Sequence, residues 1–416
     1  MAGIIVVCTL AVLATCALAE DQPVWSVNKI ADHIYELSID GGGYPVKVIA
    51  SVGPDGVLIV DSGTREASQA LKAALDSLGG PPRVIINTHA HIEHTAGNIA
   101  LGKGTLVVGH ESLRRRLTRG SYLFDEFTED ALPKITFADS MTIHFNGEEI
   151  KLEAFPGAHD DGDIVIWFTG SKVACVGALC NGLHFPSVDG EGGNVLKYPE
   201  ICQRVIDMLP EDVKVVPGHG EDCTLEDVRR FHEMLLATTE TVRAGLAEGK
   251  DLAALEREDV LEPWSSFECA YVDKNTWIEY LVEGLQPPSP KPPSNAPFFD
   301  RMYHAIKDRG VDGAIAEYRR IKSEEADRYA LREELVVYIP YKLDLNGRYP
   351  EALKFYDLCA AEYPAGKYAS FCLNRSGDIN ADEGHPDLAR ASYEKCLKLD
   401  PANAYAKRKL EELAKP

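Results

Sequence analysis

Asn87-Thr-His-Ala-His-Ile-Glu-His-Thr-Ala-Gly-Asn98 places three histidines and one carboxylate within six residues, directly after the apolar run Arg83-Val-Ile-Ile. Packing alone does not account for that density. A neutral imidazole is the commonest side-chain ligand for zinc. A loop at a strand end can turn His89 and His91 toward one point while Glu93 and His94 face a second. The run before the motif is one of several short β-branched stretches bounded by Gly, Pro, Asp and Asn; Val46-Lys-Val-Ile-Ala, Gly56-Val-Leu-Ile-Val and Lys214-Val-Val are others. A helical pattern over residues 66–78 lies between two of them, so the chain reads here as a mixed α/β domain.

The motif resembles the HxHxDH signature of the metallo-β-lactamase superfamily, with Glu93 where that family has Asp. Further landmarks follow in the family's order. Gly56-Val-Leu-Ile-Val-Asp-Ser-Gly63 looks like its strand ending in an Asp-x-Gly turn, Pro156-Gly-Ala-His-Asp-Asp-Gly-Asp163 like the loop with its third histidine, and Val215-Val-Pro-Gly-His-Gly220 like the turn with its last. The resemblance spans residues 46 to 220 and implies an αββα sandwich. It also implies two donor sets, His89, His91 and His159 for a first metal and Glu93, His94 and His219 for a second. Asp61 then either orients metal ligands by hydrogen bonding or caps an ordinary strand-to-helix turn.

One family residue is absent. Members with two metals carry a bridging Asp after a Gly, and here Gly177 is followed by Ala178, which cannot ligate. Glu93 departs as well, because its extra methylene moves the carboxylate by more than the roughly 0.5 Å tolerance of a preorganised site. Two dications would be poorly compensated, whereas three imidazoles with an open fourth position make a sufficient catalytic zinc set. The expectation is one tightly bound Zn2+, with a second site weak or absent. Glu93 would serve as base or proton shuttle, and His94 and His219 as ligands of a weaker second metal or as donors to a developing oxyanion.

Neighbouring residues carry lesser expectations. Cys180, two residues after Ala178, reads as a small buried residue, with thiolate ligation the alternative. His184 reads as a substrate-side or surface histidine, Asp160 and Asp161 as loop caps, and His110 as a satisfied structural histidine. Asp189, followed by Gly192-Gly193, resembles a subgroup of exported, hydrolase-like members.

Downstream, six of the twelve residues in Gln286-Pro-Pro-Ser-Pro-Lys-Pro-Pro-Ser-Asn-Ala-Pro297 are proline, which marks a linker. It separates residues 20–285 from 298–416, where the β-branched runs stop. There the stretch from Gly347 to Pro364 matches that from Gly384 to Pro401 at Gly, Ala, Tyr, Cys and Pro, 37 residues apart. A fainter copy holds Ala314, Tyr318, Ile321 and Ala326. The spacing Ala-x3-Tyr-x2-Cys-x4-Pro resembles the second helix of tetratricopeptide repeats, which implies an all-α helical-repeat domain able to bind a protein partner. Cys359 and Cys396 then fill small core positions.

Residues 2–19 form an uncharged apolar run ending Ala17-Leu18-Ala19 before Glu20, the pattern of a cleaved signal peptide over residues 1–19. A retained anchor or lipidation at Cys16 are the alternatives. Cleavage would leave no stable membrane span and a secreted or periplasmic protein. The eight remaining cysteines form no CxxC pair or dense framework, so no disulfide scaffold is implied. Net charge is −22, and residues 298–416 hold 20 Lys+Arg against 21 Asp+Glu, so the imbalance belongs to the metal domain. That balance excludes nucleic acid as a partner and favours a small-molecule substrate that is not anionic. The reading is an exported zinc-dependent hydrolase acting on an ester, lactone, amide or similar bond. The rival reading is a pseudoenzyme scaffold that binds protein through its repeats. A mononuclear iron oxygenase ranks third, since its carboxylate ligand would be the one Ala178 lacks.

Overall fold

A computed structural model describes residues 24–39, 45–118, 127–188, 192–269, 272–286, 296–329, 331, 333–345, 348–366, 368–401 and 403–414. The apolar presequence, Asp189 and residues 287–295 of the linker lie outside them.

Short β-branched runs pair into two sheets. The first follows chain order: β1 (Ser26–Lys29), β2 (Ile34–Ile39), β3 (Val46–Gly53), β4 (Gly56–Val60), β5 (Pro82–Ile86), β6 (Leu106–His110) and β7 (Ile135–Phe137). It is antiparallel from β1 to β4 and parallel from β4 to β7. The second contains β8 (Ser140–Phe145), β9 (Glu148–Ala154), β10 (Ile164–Phe168), β11 (Val173–Gly177), β12 (Lys214–Pro217) and β13 (Cys223–Thr224), ordered 13-12-11-10-9-8 across the sheet. Only the β11–β12 pair is parallel in it.

Alternation along each strand decides which layer each residue joins. Leu58, Val60, Ile86 and Val108 point inward against Ile150, Leu152, Ile164, Ile166 and Cys175 of the second sheet. Val57, Ile59 and Ile85 point outward and pack with Leu71 and Leu75 of α1 (Ser68–Leu78). Three short helices follow along this layer, α2 (Ile92–Thr95), α3 (Asn98–Leu101) and α4 (Glu111–Leu117). On the far side Val165, Ala174, Val176 and Val215 meet helices α5 (Tyr198–Met208), α6 (Leu225–Ala247) and α8 (Lys274–Leu285), with α7 (Leu252–Arg257) between the last two. The result is the expected αββα sandwich, held by three apolar layers in which each fully buried Leu, Ile or Phe contributes about 1.5–3 kcal/mol. One boundary differs from the sequence reading. Helix α1 begins at Ser68 because Thr64 Oγ1 accepts the Ala67 N–H and Ser68 Oγ donates to the Arg65 carbonyl, which holds the preceding residues in a turn.

The C-terminal region is all helical: α9 (Ala296–Glu324, kinked at Gly310), α10 (Ala326–Tyr329), α11 (Glu333–Leu345), α12 (Tyr349–Glu362), α13 (Ala369–Asp382), α14 (Pro386–Leu399) and α15 (Ala404–Leu413). Successive helices from α11 to α15 pack on one another, and α12 also meets α9. Positions matched by the 37-residue period share an environment. Ala352 and Ala389, Tyr356 and Tyr393, and Cys359 and Cys396 are all buried, as are Ala314, Tyr318 and Ile321 on α9. Ala326 is exposed and opens α10, so the fainter copy ends its helix where the other two place Pro364 and Pro401. Among the described residues no helix is long and apolar enough to cross a membrane.

Candidate metal centre

Three segments at one edge of the sandwich carry the histidines. His89 lies just after β5, and His91 starts α2 with extended backbone, so that Glu93 and His94 fall on its single turn. His159 lies in the β9–β10 loop and His219 follows β12. A bridge between Val46 and His219, together with the bond from Lys47 N–H to the Gly218 carbonyl (3.1 Å), ties the last turn to the first sheet and so brings His219 across to α2.

The six residues converge as two groups, His89, His91 and His159 in one and Glu93, His94 and His219 in the other, each with its donor atoms within 4.8 Å of one another. Ring centroids are 4.9 Å apart for His89–His91, 5.0 Å for His89–His159 and 4.5 Å for His91–His159. The groups adjoin, since the His89 and His94 rings are 4.4 Å apart. Glu93 Oε1 sits between them, 3.6 Å from His91 Nδ1 and 3.6 Å from His219 Nε2.

Outward contacts fix the ring tautomers. His159 Nδ1 lies 3.0 Å from the Ser187 carbonyl and His219 Nδ1 3.0 Å from the Pro45 carbonyl; a carbonyl only accepts, so both Nδ1 atoms donate. Asp61 organises the other two. It accepts the backbone N–H of Thr88 (2.8 Å) at Oδ1 and the Thr88 hydroxyl (2.9 Å) at Oδ2, and Oδ2 also lies 2.9 Å from His94 Nδ1. With its proton on Asp61, the Thr88 hydroxyl accepts from His89 Nδ1 at 2.9 Å. Each of these four rings, in its neutral form, therefore presents an Nε2 lone pair to the interior. The capping alternative for Asp61 is thereby ruled out, because the N-cap residue of α1 is Ala67 and no side chain caps that helix. Asp61 holds this position with left-handed backbone (φ 63°), a conformation Asp tolerates better than most residues.

This arrangement fits a cation. His89 Nε2 is buried without a hydrogen-bond partner among the described residues. His94 Nε2 and His219 Nε2 face each other at 3.0 Å, a separation that a shared proton or a bound cation would satisfy. Burial, reinforced by the neighbouring imidazoles of His94, His91 and His159, pushes His89 well below its ordinary range and keeps it in the neutral, ligating form. Burial also lowers His219, against the pull of Glu93. A neutral His219 whose Nδ1–H donates to the Pro45 carbonyl presents Nε2 as an acceptor, the form in which an imidazole ligates metal. For Glu93 burial opposes charge, but His219 and His91 outweigh it and hold the carboxyl well below its usual range.

Other sequence candidates fall elsewhere. Strand β11 ends at Gly177, so Cys180 lies beyond it in the second sheet's outer core, where Sγ donates to the Gly182 carbonyl at 3.4 Å; no metal-binding group among the described residues includes it. Gly177 takes φ 53°, and a Cβ there would stand 2.8 Å from the Thr88 Cβ, which explains a glycine beneath the centre. Ala178 is buried, and its carbonyl accepts the Tyr198 hydroxyl at 2.5 Å. His184 is partly exposed, with Nδ1 2.9 Å from the Asn181 carbonyl. His110 is satisfied by the Ser112 hydroxyl (2.8 Å) and the Ala138 carbonyl (3.0 Å). Asp160 does more than cap its loop: it pairs with buried Arg116 on α4 at 3.1 Å. Thr88 and Arg116 were missed. Thr88 adjoins the motif and could have been weighed; Arg116 has no local signal, because its partner is 44 residues away.

A family model described as metallo-beta-lactamase superfamily matches residues 41–193, a span that includes every donor except His219. A metallo-beta-lactamase type 2 of Bacteroides fragilis is 23% identical over 207 residues, covering 47% of this chain and 79% of that protein. Among solved structures, a metallo-beta-lactamase from Pontibacter korlensis is 20% identical with a TM-score of 0.45, covering 51% of this chain and 99% of its own. The DIM-1 metallo-beta-lactamase is 18% identical with a TM-score of 0.43, covering 52% and 98%. The family match and the curated relative support a metallo-β-lactamase superfamily domain in the sandwich, whose histidine-rich edge could hold a metal ion.

Proposed function

We propose that this chain is an exported zinc-dependent hydrolase in which His89, His91 and His159 hold one tightly bound metal, and Glu93, His94 and His219 hold a second weakly or not at all. The observation that carries the reading is the convergence of the imidazoles around a buried His89 Nε2 that has no hydrogen-bond partner among the described residues. Zinc in such a site acidifies water to a pKa of about 7 and polarises a carbonyl. The protein's own part is to place Glu93 between His91 and His219, where it can take a proton from the attacking water and return it to the leaving group. Asp61 and Thr88 hold His89 and His94 in one tautomer throughout. Substrates are small esters, lactones, amides or related compounds that are neutral or cationic, because the acidic domain repels anions.

Metal analysis of the full chain purified without chelators tests this reading. About one equivalent of zinc is expected, and less than about half an equivalent overturns it. The loaded protein is then screened against ester, lactone and lactam panels. Ala178 and Glu93 favour a second reading, a scaffold whose C-terminal tetratricopeptide-like repeats bind protein. The double variant Glu93→Asp with Ala178→Asp separates the two, since a tuned one-metal enzyme loses the activity it had and a scaffold has none to lose.

A further inference from the structure

Asp160 follows His159 in sequence and is fully buried. Its Oδ2 accepts Arg116 Nη1 at 3.1 Å and the backbone N–H of Ala90 at 3.3 Å, while Oδ1 accepts the Gly162 N–H at 2.6 Å. Ala90 is the residue between His89 and His91. One carboxylate therefore joins the loop that carries two donors of the first set to the loop that carries the third. Asp163 grips the second loop from inside, its Oδ2 accepting the N–H groups of His159 (3.1 Å) and Asp160 (2.8 Å). From outside, α4 clamps the same loop. Buried Arg116 also reaches Asp161 Oδ1 at 3.3 Å, and Arg115 reaches Asp161 Oδ2 at 2.5 Å.

A buried carboxylate without a cation is strongly disfavoured, and buried Arg116 supplies the cation beside Asp160 at this joint. A carboxylate accepts from all three donors at once, whereas an amide in its place has one acceptor atom and turns an NH2 toward another donor. We propose that Arg116 and Asp160 are a positioning pair that sets the spacing of His89, His91 and His159 for a divalent metal. The proposal rests on the reading of that set as a metal site. Neither residue touches the metal; both act through the backbone that presents its ligands.

The test uses the full chain stripped of metal with a chelator and titrated with Co2+, read by visible absorption and by thermal melting. The wild type is expected to bind Co2+ with a defined ligand-field spectrum. Asp160→Asn is expected to weaken binding about 10- to 100-fold and to change the spectrum. Arg116→Met combined with Asp160→Asn removes both charges; it is expected to recover the melting temperature of the metal-free chain without recovering affinity or spectrum. Arg116→Lys keeps the charge but not the planar fork and is expected to fall between. Wild-type affinity and spectrum in Asp160→Asn, full recovery of affinity in the double variant, or failure of all three variants to fold would each overturn positioning in favour of a purely structural pair. A wild type that binds no Co2+ removes the metal reading itself, and the proposal with it.

Discussion

The edge of the sandwich and the C-terminal helices both bury polar side chains, but they close them differently. Among the helices, Tyr356 donates to Asp344 (3.0 Å), Arg375 bridges Asp344 and Asp378, and Asp378 also accepts the hydroxyls of Tyr393 (2.7 Å) and Tyr405 (2.9 Å). That network is complete within the chain and serves to lock one helix against the next. At the sandwich edge, Asp61, Thr88, Ser187 and Pro45 satisfy only the outer nitrogens of the rings, and the inner ones converge on one another. Buried polar groups that are all paired specify a fold; buried lone pairs left facing each other specify a ligand.

The largest expected effect breaks the open network. His89→Ala should reduce zinc affinity by more than the about 100-fold typical of losing an outer hydrogen-bond partner, measured by metal content after dialysis, with the far-ultraviolet circular dichroism of the helices unchanged. Two matched substitutions sharpen the contrast. In Gly177→Ala a new Cβ meets Thr88 at 2.8 Å on left-handed backbone, and the sum of about 1–2 kcal/mol for that conformation and about 1–3 kcal/mol for overpacking should lower both stability and metal content. In Gly377→Ala the Cβ meets the Tyr393 ring at 2.3 Å, within the helical core. That change should cost about 1–3 kcal/mol, partly offset by about 1 kcal/mol of helix propensity, and leave zinc content unaltered. Tyr393→Phe removes a hydrogen bond to a charged acceptor and should cost about 1.5–3 kcal/mol in urea melts, again without touching metal.

The smallest effect is one of pH. Burial and the adjacent Asp222 push Glu36 up to about 7 from 4.5, against the pull of Lys47, with which it pairs at 3.3 Å. Between those values the folded state holds a proton that the unfolded chain has released, so this group's stabilisation is complete below the unfolded value and lost as pH rises through about 7. Glu36→Gln should flatten that part of the melting-temperature profile. An unchanged slope would place the pH dependence elsewhere.

Much of the centre was legible because its parts are local. Five of the six donors lie in two short motifs, 89–94 and 156–163, where glycines and strand ends announce turns. The Ala, Tyr and Cys positions of the 37-residue period were legible for the same reason, since a helix repeats its buried face at fixed spacing. The alternative left open for Cys180 depended on where a strand stops: it shares a face with Ala178 only if β11 continues, and β11 ends at Gly177, so Cys180 is the small buried residue it reads as. What was missed depended on distance, as with Arg116 and the tyrosine–aspartate pairs Tyr356–Asp344 and Tyr393–Asp378.

From the sequence alone came the mixed α/β class and the histidine-rich motif, because strand patterning and ligand spacing are properties of neighbours along a chain, while the layering and the two candidate donor sets came from its resemblance to a known family. Only the tertiary structure decided which nitrogen of each ring faces inward, that Asp61 anchors His94 and Thr88, and that Asp160 joins the two histidine loops under Arg116. The reason is physical. A tautomer and a buried charge are both set by their partners, and here those partners arrive from strands and helices that meet only when the two sheets close on each other.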